Sequence, residues 1–386
     1  MKVIKLILKN SFRHKLRSSL TIIGIAVAII AFGVLRTVVT AWNQAVDASS
    51  NERLITRQSV SFIFPLPLSY EQKISQVPGV EKVTYANWFG GTYINKQNFF
   101  ARLAVDVNTY FDVYPEYELT KQEFSNFKNE RNACVVGSVT AKQYNLKVGD
   151  VMTLDGDIYP GKWDFVIRGI YKPKFKSTDA TGMFFHWSYV NERMKVEMPL
   201  RANDVGWYIE SIDNPNNSGK ISQNIDKLFK NSPNATKTET EVAFSQGFIA
   251  SSSAIITSMN VMSFVIVGII LLVLANTMIM SSRERTKEYA VFKTIGFSTY
   301  HLFFLILGES LFIAFIGGVL GLFMTFPIVK GFSTQLPKGF FPVFEVEPIT
   351  IVLCIAAIVI IGFAAAYFPI HKALKTKIVD GLRFVG

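Results

Sequence analysis

The sequence is poor in the residues from which reactive sites are usually built. Two cysteines occur in 386 residues, Cys134 and Cys354. That is too few for a disulfide framework, and their separation gives no metal-ligand spacing. Cys134 falls in a long mixed stretch and Cys354 inside an apolar run, so the two are not expected to meet. The four histidines, His14, His186, His301 and His371, are scattered. The phrase FFHWSY around His186 reads as packing in a β-rich region. No GxxxxGK[ST] loop occurs; VVGSVTAK has a glycine and a lysine but lacks the second glycine, so this chain is not expected to hydrolyse nucleotide by itself. HExxH and GxSxG are also missing. Neither an internal repeat nor a low-complexity tract interrupts the chain. The expectation is a protein with no catalytic, cofactor-binding or metal-binding residues of its own.

What the sequence has in quantity is apolar length. Hydrophobic residues make up 49%, mean hydropathy is +0.28, and four runs stand out at 20–41, 254–280, 302–329 and 349–370. Each can cross a hydrocarbon core of roughly 30 Å at about 1.5 Å per residue. The net charge of +11 raises the possibility of nucleic-acid binding, but its placement argues for a membrane. Lys2, Lys5, Lys9, Arg13, Lys15 and Arg17 precede the first run; Arg283, Arg285, Lys287 and Lys293 lie between the second and third; Lys372, Lys375, Lys377 and Arg383 follow the fourth. Lys330 and Lys338, between the third and fourth, are balanced by Glu345 and Glu347. This positive-inside bias places both termini and the turn between runs two and three in the cytoplasm, and the long insert outside. The first run reads as an uncleaved signal anchor, being too long for a signal-peptide core.

The expected organisation is an α-helical membrane protein with four transmembrane helices and a large extracytoplasmic α+β domain, in two subdomains, inserted between helices 1 and 2. Residues 1–19 read as an N-terminal amphipathic helix on the inner face, or as a plain charge cluster that sets topology. Helix 1 spans 20–41. Residues 42–253 form the external domain, with a β-rich inserted subdomain at about 112–190. Helix 2 spans 254–280, a charged connector 281–300, helix 3 302–329, an external loop 330–348, helix 4 349–370 and a tail 371–386. Within the insert, QSVSFIFPL (58–66), VEKVTYANWF and VGWYIESI read as strands. SYEQKISQVPGV reads as a short helix with Ser69 and Gln72 as a capping box. SGKISQNIDKLFKNS reads as a helix with Ile221, Ile225, Leu228 and Phe229 on one face. ACVVGSVTAKQYNLKVGDVMTLDG reads as strand, helix, turn and strand, and WDFVIRGIYKP as an alternating strand.

Three features of the spans are candidates for function. Glu309, about a turn and a half into the third run, is costly there; it is either a proton-relay or substrate group, or a polar residue near the inner interface that hydrogen-bonds across helices and helps hold a dimer. Arg36 reads as snorkelling outward. Gly317 and Gly321 form a GxxxG pair suited to close helix packing.

The stretch SSRERTKEYAVFKTIGFS (281–298) packs mixed charge between two spans. On a helix at 100° per residue, Glu284, Glu288, Val291, Phe292 and Ile295 share an arc of about 100°, flanked by Arg285 and Lys287, and Gly296 is placed to end the helix. One reading is a solvated connector resting on lipid headgroups. The other is a docking helix, with carboxylates fixing register around an apolar knob.

This stretch resembles the segment between the second and third spans of MacB/FtsX-type ABC transporter permeases, with Glu288, Ala290, Lys293, Ile295 and Gly296 in the family's places. The resemblance extends over the chain: NSFRHKLRSSLTIIGIAVA, ACVVGSVTAKQYNLKVGDVMTL, FVIRGIYKP, GESLFIAFIGGVLG and PIHKALKTKIVDGL are similar to successive family segments. Tyr289 to Phe292 are bulkier than the commonest family residues. The resemblance implies a permease subunit of the bacterial inner membrane, acting as a homodimer or a close-paralogue heterodimer. Each copy would dock a cytosolic ABC ATPase through Glu284, Arg285, Lys287, Glu288, Val291, Phe292, Ile295 and Gly296, with ATP and Mg on the partner. Closure of the ATPase would reach the external domain through the spans, to export or extract amphiphilic cargo with a periplasmic adaptor and outer-membrane channel. Alternatives are a lipoprotein-releasing permease and an ABC-linked signalling protein; a membrane enzyme using Glu309 is a further class. Membrane lipid is an implied partner and nucleic acid is not.

Overall fold

In a computed structural model, residues 2–47, 49–96, 98–251, 253–335, 344–375 and 378–379 are described. Residues 336–343 of the expected external loop (330–348) and, from the tail, Lys377 and Arg383 lie outside them. The chain divides into two compact units, one holding the long apolar helices and one holding the insert.

Among the described residues the first unit contains four helices long and apolar enough to cross a membrane, Lys15–Asn43, Ser253–Glu284, Thr299–Thr334 and Pro348–Lys375. Each runs beyond its apolar run, because helical hydrogen bonding continues into the polar flanks. A short helix, Lys2–Ser11, precedes the first span. The four helices share one apolar core: Ile25 and Ile29 from the first, Leu274 from the second, Ala314 from the third and Cys354, Ile361 and Ala365 from the fourth are all fully buried. Gly317 and Gly321 line the third span where it meets the first. A Cβ added at Gly317 would stand 2.8 Å from the Ile22 carbonyl oxygen, and one at Gly321 2.6 Å from that of Ala26. The GxxxG pair therefore packs two helices of the same chain. Ser310 Oγ donates to the Gly362 carbonyl at 2.7 Å, tying the third span to the fourth. Arg36, read as snorkelling, instead donates to Asn260 Oδ1 on the second span at 2.7 Å.

Among the described residues the insert is built on twelve strands: β1 (Arg53–Gln58), β2 (Leu66–Pro67), β3 (Val80–Trp88), β4 (Arg102–Val105), β5 (Tyr117–Glu118), β6 (Ala133–Gly137), β7 (Val151–Gly156), β8 (Gly161–Pro173), β9 (Met183–His186), β10 (Asp204–Val205), β11 (Trp207–Ile212) and β12 (Thr236–Thr240). Ten belong to one sheet in the order β12-β1-β11-β3-β4-β9-β6-β8-β5, with β7 on β8; β2 and β10 form a separate pair. The flanks of the insert supply β12, β1, β11 and β3, and residues 112–190 extend the same sheet with β5 to β9. The two expected subdomains thus share a sheet. Pairing is mostly antiparallel, with β4–β9 and β6–β8 parallel.

Alternation along the strands divides the core between the two faces. Leu54, Val83, Tyr208 and Phe185 face one side; Ile55, Ala86, Ile209 and Phe184 face the other. The helix Ser218–Phe229 lays Ile221, Ile225 and Phe229 on the first of these cores at i, i+4, i+8 spacing, while Leu228 stays half exposed. The capping box falls at Thr120 and Glu123, not at Ser69, whose side chain caps nothing. Residues 59–65, read as part of a strand, form an exposed loop instead: the strand lies upstream at Arg53–Gln58, and Val60 and Ile63 are 78% and 88% exposed. His186 is buried with Nε2 2.7 Å from the Phe127 carbonyl, a packing role.

Candidate functional site: the connector between the second and third spans

The second span ends at Glu284, the chain bends at Arg285, and a new helix runs Thr286–Thr294 before the third span begins at Thr299. The end of this short helix is set by Gly296, whose φ is 98°. The Phe297 N–H donates to the Phe292 carbonyl at 2.9 Å and the Gly296 N–H to that of Lys293 at 3.3 Å. The Phe292 and Phe297 rings stack with centroids 5.1 Å apart. These are the paired bonds and apolar contact of a glycine-terminated helix, and they turn the chain sharply into the third span.

Charge fixes the connector to its surroundings at three points. Arg285 is buried. Its Nη1 donates to Glu309 Oε2 at 2.7 Å, and both side chains are at most 5% exposed. Glu309 Oε1 also accepts from Ser281 Oγ at 3.5 Å. Arg285 stands over the Tyr289 ring at 5.5 Å, and Tyr289 is itself buried in the helical core. The carboxylate in the third span thus has a cationic partner, supplied by the connector. Second, the N-terminal arm reaches over the connector. Arg17 holds Glu284 with two hydrogen bonds of 2.9 and 3.0 Å, His14 lies 3.3 Å from the same carboxylate, and Arg13 pairs with Glu288. Arg285 Nε also reaches Glu288 at 3.3 Å. Partial burial of Glu288 works to raise its pKa, but the two guanidinium groups outweigh it and hold the carboxyl below the usual range. Third, Lys293 Nζ donates to the Ala373 and Leu374 carbonyls at 3.1 and 3.2 Å, at the C-terminal end of the fourth helix, where a cation complements the helix dipole.

These pairs split the arc expected from helical periodicity. Glu284 and Glu288 face the N-terminal arm. Phe292 is half buried against the helical core and Phe297. Arg285 turns inward to Glu309. Lys287, Val291, Thr294 and Ile295 remain exposed, Val291 at 41% and Ile295 at 70%. Glu309, Gly317 and Gly321 all lie on the third helix, Glu309 towards the connector and the two glycines against the first helix. Sequence reasoning missed Arg13 and Arg17 as partners. The signal was present: two arginines four apart match two glutamates four apart.

Among the described residues no group of three or more His, Cys, Asp or Glu could hold a metal ion.

Comparison with known proteins gives consistent results. The model described as MacB-like periplasmic core domain matches residues 18–227, and that described as FtsX-like permease C-terminal matches 260–378. An uncharacterized ABC transporter permease of Methanocaldococcus jannaschii is 24% identical over 99% of this chain and 97% of its own length. The macrolide export ATP-binding/permease protein MacB of Vibrio parahaemolyticus is 22% identical over 98% of this chain; the chain spans 59% of that protein. The crystal structure of the periplasmic region of MacB from Actinobacillus actinomycetemcomitans aligns with 53% of this chain and 95% of its own, at 14% identity and a TM-score of 0.39.

Four long helices, a large α/β insert after the first, and a charged connector anchored to the third define a multi-pass membrane protein of permease type. The chain belongs to the family of FtsX-like ABC transporter permeases that carry a MacB-like periplasmic core domain.

Proposed function

We propose that this chain is the membrane subunit of a MacB-like ABC transporter, and that it converts closure of a separate cytosolic ABC ATPase into movement of its external domain. The connector is the docking element. Its exposed face, Lys287, Val291 and Ile295, offers two apolar side chains beside one cation, which suits burial in a partner's groove. The observation that carries the reading is the buried Arg285–Glu309 pair. Breaking such a pair costs about 3–5 kcal/mol, so a push on the connector moves the third span with it. The two glycines that seat the third span on the first pass that motion on as a rigid-body shift of packed helices.

The relatives named for macrolide export favour amphiphilic cargo. In the same proposal the chain works as a dimer in the bacterial inner membrane, with both termini cytoplasmic by its charge bias, and a periplasmic adaptor and outer-membrane channel complete the export route. ATP and Mg would be bound by the ATPase. The test is co-purification of the ATPase with tagged Val291→Glu/Ile295→Glu. The variant should insert normally and lose at least tenfold of the ATPase recovered with the parent chain. Undiminished recovery would remove the connector from the docking role.

A further inference from the structure

The external domain contains a cavity of about 680 Å³ beside the exposed 59–65 loop. That volume is in the range that holds a drug-sized molecule. Its walls are aromatic: Phe62, Phe64, Trp88, Tyr159 and Trp207 line it, with Ile63 and Ile158 at the edge. Phe62 is fixed between Trp207 and Phe244, with ring centroids at 4.7 and 5.3 Å, and the loop that carries it is pinned by Gln58 Oε1, which accepts from the Val60 and Ser61 N–H groups at 2.7 and 3.1 Å. The floor is built around the buried Asn87. It donates to the Tyr159 hydroxyl and the Asp204 carbonyl at 3.2 and 3.1 Å, and accepts from the Gly206 N–H at 3.0 Å. No side chain fits at Gly206, where a Cβ would lie 2.8 Å from the Ala86 carbonyl. The cavity is a constructed feature of the fold.

Its charge is unbalanced. Two carboxylates line it, Asp157 and Asp204, against one guanidinium, Arg201. Asp157 accepts one backbone hydrogen bond, from Gly91 at 3.2 Å, and Arg201 is engaged on the Ile158 carbonyl at 3.1 Å. Neither aspartate appears in an ion pair among the described residues, although Asp204 is half buried. Burial raises the Asp204 carboxyl pKa, a cost that a bound cation would relieve. Aromatic faces next to unpaired carboxylates attract cations through ring quadrupole and charge alike. An anion, or an acyl chain with a phosphate head, would meet the carboxylates unfavourably.

We infer that this cavity is a binding site for a cationic amphiphile, an apolar body carrying an amine or quaternary ammonium group that sits between the aromatic walls and Asp157 and Asp204. This deepens the proposed function, since it names a class of cargo that the external domain would hold.

The test uses the full chain in lipid nanodiscs and the cationic dye rhodamine 6G, read by fluorescence polarisation against empty nanodiscs. Fluorescein, an anionic dye of similar size, is the comparison. The parent should bind rhodamine 6G saturably and fluorescein not at all. Asp157→Asn/Asp204→Asn and Trp207→Ala should each weaken binding at least tenfold, and Arg201→Gln should tighten it about threefold. Unchanged affinity in the double aspartate variant, equal binding of fluorescein, or no saturable binding by the parent would each overturn the site. Tryptophan emission checks folding: all five tryptophans lie within residues 42–207. Arg201→Gln, an exposed position, tests the charge argument without disturbing the core. Saturable dye binding with no response of the partner ATPase would leave the site standing and remove the cargo role.

Discussion

Glu309→Ala would leave the Arg285 guanidinium buried without its anion. The 2.7 Å bond is lost, Glu288 at 3.3 Å remains as the remaining carboxylate contact, and water has little access to a side chain 4% exposed. Breaking a buried pair from one side costs about 3–5 kcal/mol, and for a unit of this size each kcal/mol lowers the melting temperature by about 2–4 °C. The membrane unit should therefore melt roughly 10 °C lower. Arg285→Met/Glu309→Leu removes both charges and keeps the volume, and should recover most of the loss, since apolar replacement of a buried pair is often neutral. The chain provides its own reporter. Of its two cysteines, Cys354 is fully buried in the fourth helix, so in a Cys134→Ala background a thiol-reactive fluorophore reads the melting of the membrane unit alone. A shift under 2 °C in the single variant, or a double variant as unstable as the single, would refute the assignment of this pair as a buried charge-paired joint.

Three further outcomes follow from named residues. Glu210 in β11 is 0% exposed, and burial, only partly offset by the neighbouring Thr56 hydroxyl, pushes its pKa from 4.5 to about 8. The folded state then keeps a proton that the unfolded chain releases, so external-domain stability falls as pH rises from 4.5 to about 8, by at most about 5 kcal/mol; Glu210→Gln should flatten that slope in denaturant unfolding followed by tryptophan emission, and an unchanged slope would contradict it. Reversing the Arg17–Glu284 pair as Arg17→Glu/Glu284→Arg should restore ATPase recovery that Arg17→Glu alone reduces; equal loss in both would deny the arm a role in holding the connector. A cysteine placed by Asn216→Cys, on an exposed turn of the insert, should react with a membrane-impermeant maleimide in intact cells, whereas labelling only after lysis would reverse the topology.

The spans and the turn at Gly296 were legible because both are local. A 20-residue apolar run and a glycine after a periodic stretch carry their meaning within a few residues. Most strands of the insert were legible for the same reason: β8 alternates along WDFVIRGIYKP, and β6 is apolar throughout. The 59–65 loop was misread because Val60, Phe62, Ile63 and Phe64 imitate a strand, while the true strand, RLITRQ, looks too polar to be central. Arg53 explains it: the guanidinium is buried in pairs with Glu116 and Glu241, at 2.9 and 2.7 Å, which only the folded sheet brings together. The connector contains the helix Thr286–Thr294, but its surface is not legible from periodicity. Helical periodicity ranks side chains around one axis; it says nothing about which neighbours cover them. Arg285 reads as a flank, but Glu309, 24 residues later, draws it inward, and Arg17 and Arg13 of the N-terminal arm pair with Glu284 and Glu288.

The claim that the connector's exposed face docks a cytosolic ATPase is tested most directly by a photo-crosslinking amino acid at Ile295 in growing cells, followed by mass spectrometry of the adduct. The account predicts one dominant adduct, to an ABC ATPase, that is lost when the crosslinker is moved to the buried Ala290. Adducts only to lipid or to this chain itself would contradict it.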